Sequence, residues 1–162
     1  MKGEALAVNI GLSDQQRDAV VKLLNTLLAD EFVLYTKSRC FHWNVEGPDF
    51  SELHELFEKH YEQLGGIVDD VAERTRALGG VAAGSLEEYL KLARLKEQSG
   101  KHYDARGMTT ALLNDHEALI RSLRKDLETC SNEHGDEGTT DFLTGLMQSH
   151  EKTAWMLRAY LR

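Results

Sequence analysis

Five side chains between residues 42 and 73 have the types and spacing of a metal site: His42, His54, Glu58, Asp69 and Glu73. His54 and Glu58 stand four apart, as do Asp69 and Glu73, so on a helix each pair shares a face. Asp69 follows Glu58 by eleven residues, about three turns, which sets both pairs on one stripe. At 1.5 Å per residue the pairs are still about 16 Å apart, too far to close on one metal centre. Two copies of the helix crossing antiparallel about a two-fold axis would bring His54 and Glu58 of one chain to Asp69 and Glu73 of the other. The axis falls near residues 63 and 64, beside Gly65-Gly66. Mid-helix glycines cost about 1 kcal/mol each relative to alanine, a cost that close backbone approach explains. His42 adds a second imidazole from the same chain. Either i, i+4 pair alone is more often plain solvated surface; the joint pattern argues for ligands. Nitrogen and oxygen donors without thiolate suit ferrous iron, zinc or manganese.

The elements that position these residues are helical. Ser13 with Gln16 forms a capping box, and Val20, Leu24, Leu27, Leu28, Phe32 and Tyr35 follow at helical spacing, predicting helix A over about 13–44. Gly47-Pro48 ends it. Helix B spans about 49–78 on a stripe of Leu53, Leu56, Phe57, Leu64, Ile67, Val68, Val71 and Leu78, and stops at Gly79-Gly80. A second capping box, Ser85 with Glu88, opens a short helix to about residue 93. Helix C covers about 106–131 and helix D about 137–161. Four long helices with one extended crossover predict an all-α, ferritin-like four-helix bundle, with the short extra helix lying between helices B and C. Residues 13–162 read as a single domain behind a short flexible lead, 1–12.

Other chemistry-bearing residues receive plainer readings. His116 and His150 fall on apolar faces and are expected to be core histidines with satisfied hydrogen bonds. His60, His102 and His134 are expected at the surface or in loops. Asp30 and Glu31, in an otherwise apolar helix, suggest a subunit contact without an assigned role. Cys40 and Cys130 are expected to pack rather than to act as redox partners. A di-iron site inside one bundle needs Glu-x-x-His on two helices, and no glutamate here is followed three residues later by histidine. Phosphate-binding glycine loops and a nucleophile elbow are also absent.

The run His42-Trp43-Asn44-Val45 through Gly47-Pro48, Phe50, Leu53-His54, Phe57-Glu58 and Tyr61, continued by Asp69, Ala72, Glu73 and Arg74, resembles the signature of the Dps family of mini-ferritins. The likeness extends over nearly the whole chain, through Leu78-Gly79-Gly80 to Trp155-Met156-Leu157. The resemblance implies a dodecameric shell with ferroxidase sites at its two-fold interfaces. There Fe(II) is oxidised to Fe(III), two ions per site, with hydrogen peroxide or O2, and a ferric mineral is stored inside. Carried over by position, His42, His54 and Glu58 come from one subunit, and Asp69 and Glu73 from its neighbour. Many relatives have aspartate where this chain has Glu58, which bears on occupancy of the second metal position. Zinc and manganese are the expected competitors. Trp43, beside the site, is a candidate electron donor. Glu133, Asp136, Glu137 and Asp141 correspond by resemblance to the acidic iron-entry pore, where like carboxylates draw in cations; a solvated charged loop that caps helix D is the alternative for each of them.

Composition limits the alternatives. The 162 residues carry 27 acidic against 19 basic side chains, a formal net charge of -8, with a single proline. That balance opposes nucleic-acid binding through a basic surface. Residues 1–12 offer only Lys2 against Glu4, and Arg162 follows directly on helix D. DNA binding is therefore expected to be weak or absent, although a shell that protects DNA by physical association is the alternative function. Two cysteines are too few for a disulfide framework, no apolar run reaches the roughly 20 residues of a membrane span, and the start is a poor signal peptide. The expected setting is the bacterial cytoplasm, with nucleoid association left open.

Overall fold

A computed structural model describes residues 7–162. The helices are α1 (Asp14–Asn44), α2 (Phe50–Ala77), α3 (Leu86–Leu92), α4 (Ala105–Asn132) and α5 (Glu137–Tyr160). Each boundary falls within two residues of the sequence expectation, and both capping boxes form as their residues dictate. The Ser13 hydroxyl accepts from the Gln16 amide while the Gln16 side chain accepts from the Ser13 amide. Ser85 and Glu88 repeat this at α3. Asp104 caps α4, accepting from the Gly107 amide at 2.7 Å.

Short connections at 45–49 and 133–136 fold α1 against α2 and α4 against α5, and these two hairpins form the bundle, with α3 lying on α1. Leu24, Leu27, Leu28, Leu53, Phe57, Leu112, Leu119, Leu123, Leu143 and Leu157 fill the centre and are fully or almost fully buried. Gly79 stops α2 at φ 84, a left-handed value that favours glycine. At the next residue a Cβ on Gly80 would stand 2.5 Å from Val21 Cγ2, so only glycine lets the chain turn this close to α1. The chain from Ala7 to Leu12 is neither helix nor strand, and Val8 lies against Gly79. Residues 1–6 of the expected lead lie outside the described residues.

Polar side chains of α1 hold the long crossover in register. Asn25 bonds both Val81 O (3.0 Å) and the Ala83 amide (2.8 Å). Asp30 accepts from the Arg94 and Leu95 amides (2.6 and 2.9 Å) and from Arg94 Nε (2.7 Å), while Arg94 Nη1 reaches both oxygens of Asp126 on α4. Lys37 donates to Lys96 O and pairs with Asp115. Burial works to lower the Arg94 pKa, but Asp30 and Asp126 outweigh it and raise it. Asp30 and Glu31 are both fully buried inside the chain, Asp30 in these bonds and Glu31 through one oxygen against His150, which corrects their expected place at a subunit contact.

Candidate metal centre

His42 lies in the last turn of α1 and His54 in the second turn of α2, so the turn at 45–49 folds one over the other. Their rings stack with centroids 3.8 Å apart and planes 24° apart. Each Nδ1 meets the main-chain oxygen of the other residue: His42 Nδ1 to His54 O at 2.8 Å, and His54 Nδ1 to His42 O at 2.9 Å. A carbonyl only accepts, so both Nδ1 atoms carry hydrogen and both Nε2 atoms keep their lone pairs in the neutral rings. Such a hydrogen bond on the far nitrogen is the usual way a metal-binding imidazole is fixed in tautomer and orientation.

Glu58 stands one turn beyond His54, half-buried. Tyr61 donates its hydroxyl to Glu58 Oε1 at 3.3 Å and sets its ring edge-on to His42 at 5.2 Å. Partial burial and the Glu58 carboxylate raise the Tyr61 hydroxyl above its ordinary value. The Arg39 guanidinium lies 5.4 Å from the ring centres of both Tyr61 and Trp43 and donates to Tyr35 Oη at 2.6 Å. Trp43 itself is 65% exposed. Arg39 is a neighbour of the site that the sequence did not single out, and Tyr61, named there only within the family signature, had no assigned role. Helical spacing held the signal, since Tyr35, Arg39 and Trp43 follow at intervals of four, and Tyr61 follows Glu58 by three.

Asp69 and Glu73 are exposed, three turns further along α2. Within one protomer the two halves remain apart, and among the described residues no three His, Cys, Asp or Glu side chains converge on a point. Near the expected two-fold, Gly66 is exposed, and a Cβ there would meet nothing within 4 Å inside the chain. No intrachain contact demands glycine at that position.

The acidic residues at the α4–α5 turn divide. Glu133, Glu137 and Asp141 are exposed, and Glu137 accepts from Ser131 Oγ at 3.0 Å. Asp136 departs from its expected place in a pore: it is 4% exposed, caps α5 through the Thr139 amide at 2.9 Å, and pairs with Arg74 at 3.2 Å. An N-cap carboxylate is spent on the helix end and does not face an ion path.

Three histidines lie elsewhere in the bundle interior. His116 and His150 are buried as expected, but His116 departs from the expectation of satisfied hydrogen bonds. His60 is buried too, at 5% exposure, contrary to its expected surface position, and burial pushes its pKa down to about 4. His150 bonds through both nitrogens, whereas His116 Nε2 and His60 Nδ1 are buried without a partner. Cys130 packs in the core, but Cys40 is exposed rather than packed.

The bundle, its long crossover and the imidazole–carboxylate pattern define a ferritin-like protein, and the profile of the ferritin-like domain matches residues 21–162. The low temperature-induced protein of Nostoc sp. is 51% identical over 95% of this chain and 86% of its own length. DNA protection during starvation protein 2 of Bacillus anthracis is 41% identical over 88% of this chain and 96% of its own. The crystal structure of the Dps protein from Vibrio cholerae, described as a member of a broad superfamily of ferritin-like diiron-carboxylate proteins, superposes with a TM-score of 0.89 at 36% identity, covering 98% of this chain and 99% of that one. This chain belongs to the Dps family of mini-ferritins.

Proposed function

We propose that the protein is a ferroxidase that stores and detoxifies iron, binding Fe(II) between His42, His54 and Glu58 of one subunit and Asp69 and Glu73 of its two-fold neighbour. The observation that carries this reading is the reciprocal His42–His54 clasp, which leaves two Nε2 lone pairs beside Glu58. The acidic pair on the same helix is out of reach within one chain and exposed for a partner. About two ferrous ions occupy each completed site. They give two electrons to hydrogen peroxide, which takes up two protons and leaves as water, or they are oxidised by O2. Ferric product passes into a dodecameric shell operating in the cytoplasm. Glu133, Glu137 and Asp141 line the approach for incoming cations. Trp43 supplies an electron when a single iron is bound, and a Trp43→Phe variant with unchanged radical formation and protein damage removes that role.

Anaerobic Fe(II) titration followed by peroxide tests the reading. Stoichiometric binding and rapid oxidation, both lost in His54→Ala/Glu58→Ala, are the expected result. Unchanged oxidation in that variant defeats the site assignment. Undiminished protection of plasmid DNA by that variant favours a shell that protects by association alone.

A further inference from the structure

A second group of imidazole and carboxylate side chains sits inside the single bundle, away from the two-fold site. Each long helix contributes one member: Glu31 from α1, His60 from α2, His116 from α4 and His150 from α5, all at least nine-tenths buried. Glu31 Oε1 meets His150 Nε2 at 2.9 Å, and His150 Nδ1 meets His116 Nδ1 at 2.9 Å. The carboxylate oxygen accepts from His150 Nε2–H. His150 Nδ1 then accepts from His116 Nδ1–H, which leaves His116 Nε2 as a lone pair. That atom has no partner, nor has His60 Nδ1, whose ring centre is 6.2 Å from that of His116. Leaving a buried polar atom unpaired costs about 1–3 kcal/mol. Two such nitrogens in one place therefore call for a ligand.

The space they border, lined also by Gln63 and Thr153, has no room for a water molecule. A dehydrated divalent ion bound at about 2.0–2.1 Å from nitrogen needs less. Burial, reinforced by the neighbouring rings, holds His116 in its neutral, ligating form. A cleft of about 420 Å³ between α2 and α5 adjoins the inner space and shares His60, Gln63 and Thr153 with it. Gln63, itself exposed, donates from Nε2 to Ser149 Oγ at 2.6 Å, which leaves its carbonyl oxygen outside that bond. Lys59, also lining the cleft, is paired with Glu55.

We propose that His116 Nε2 and His60 Nδ1 bind one divalent transition ion of imidazole preference, of the zinc, cobalt(II) or ferrous class, inside each subunit. Glu31 and His150 are the positioning residues, a carboxylate–imidazole support that fixes the His116 tautomer as outer-shell partners do in known metal sites. Because three imidazole or carboxylate groups do not converge here, neutral oxygens of Gln63 and Thr153 complete the coordination. The site needs no partner subunit and is independent of the ferroxidase reading.

The assembled full-length protein carrying His54→Ala/Glu58→Ala, which lacks the inter-subunit imidazole–carboxylate pair, is titrated anaerobically with Co(II). About one equivalent per chain with the visible bands of nitrogen-ligated cobalt is expected, weakened at least tenfold by adding His116→Leu. Absence of those bands before His116 is changed overturns the proposal. Since His116→Leu alters a packed core, anomalous diffraction from crystals of the unmodified protein soaked in Zn(II) gives an independent answer. A peak between His60 and His116 supports the site; zinc found only elsewhere, including beside His54, refutes it.

Discussion

The claim that each iron centre is shared between subunits makes a quantitative demand on mixed assemblies. Ligands of one ion with bonds of about 2 Å lie within about 4 Å of each other. The His54/Glu58 and Asp69/Glu73 pairs are separated along α2 by about 16 Å at 1.5 Å per residue, so no chain can complete its own centre. Consider one variant lacking the imidazole half, His54→Ala/Glu58→Ala, and another lacking the acidic half, Asp69→Asn/Glu73→Gln. Each alone has only broken sites. When the two chains assemble together, a mixed pair contains one centre with neither half and one with both. Random assembly makes half of the pairs mixed, so about a quarter of all centres are whole. Co-expressed chains with different tags, purified for both, are titrated with Fe(II) without oxygen and then mixed with peroxide. The oxidation amplitude is expected to rise from near zero in either parent to about a quarter of the unmodified protein's. A mixed assembly no more active than its parents, or a parent that keeps its activity, refutes the shared centre.

Asp30→Ala strips two main-chain amides of their acceptor and leaves Arg94 with Asp126 as its remaining partner; an orphaned buried donor costs about 1–3 kcal/mol, read as a lower urea midpoint at fixed protein concentration. Asp30→Asn keeps one acceptor oxygen and recovers part of that loss, while unchanged exchange of the Arg94 and Leu95 amides in Asp30→Ala contradicts the clamp. Gly80→Ala drives a Cβ into Val21 and is expected to destabilise by about 1–3 kcal/mol, with partial rescue by Val21→Ala. Gly66→Ala meets no atom within its own chain, so sedimentation should show weaker subunit association at undiminished helix content; unchanged assembly removes the close approach. Burial raises the Cys130 thiol to about 12, so at pH 8 only about one molecule in ten thousand is thiolate, rising tenfold per pH unit. A thiol reagent should therefore modify Cys40 alone in the native protein at pH 8, and two thiols only after unfolding. Asp141→Asn should slow iron uptake more at low than at high salt, since screening weakens the attraction it removes; equal slowing at all salt concentrations argues against an electrostatic role.

Much of the architecture was legible because it is encoded locally. Capping boxes, glycine stops and apolar stripes act within one or two turns, and α1 and α3 begin, and α2 ends, where those signals stand. The imidazole and carboxylate spacings along α2 were equally readable, because a helix converts sequence interval into direction. What stayed hidden depends on partners far along the chain. Asp30 is buried because Arg94, sixty-four residues later, arrives to meet it, and no local interval announces that meeting. His60 did carry a signal, lying three residues after Phe57 and four before Leu64 on the buried stripe, but its polar type pointed outward. For Asp136 the sequence left pore lining and a helix cap both open, and the Thr139 amide three positions on settles it as the N-cap. The Nδ1–carbonyl exchange between His42 and His54 depends on the turn between α1 and α2, so the tautomers could be known only from coordinates.

That exchange ties chemistry to the corner of the fold. Since each ring is held by the opposite helix's main chain, the two donor nitrogens move with the angle at which α1 meets α2. A residue added to or removed from 45–49 would rotate one ring away from the other before it disturbed the hydrophobic interior. Iron affinity should therefore respond to the length of this five-residue turn well before global stability does, and the turn serves as the gauge block that sets the spacing of the site.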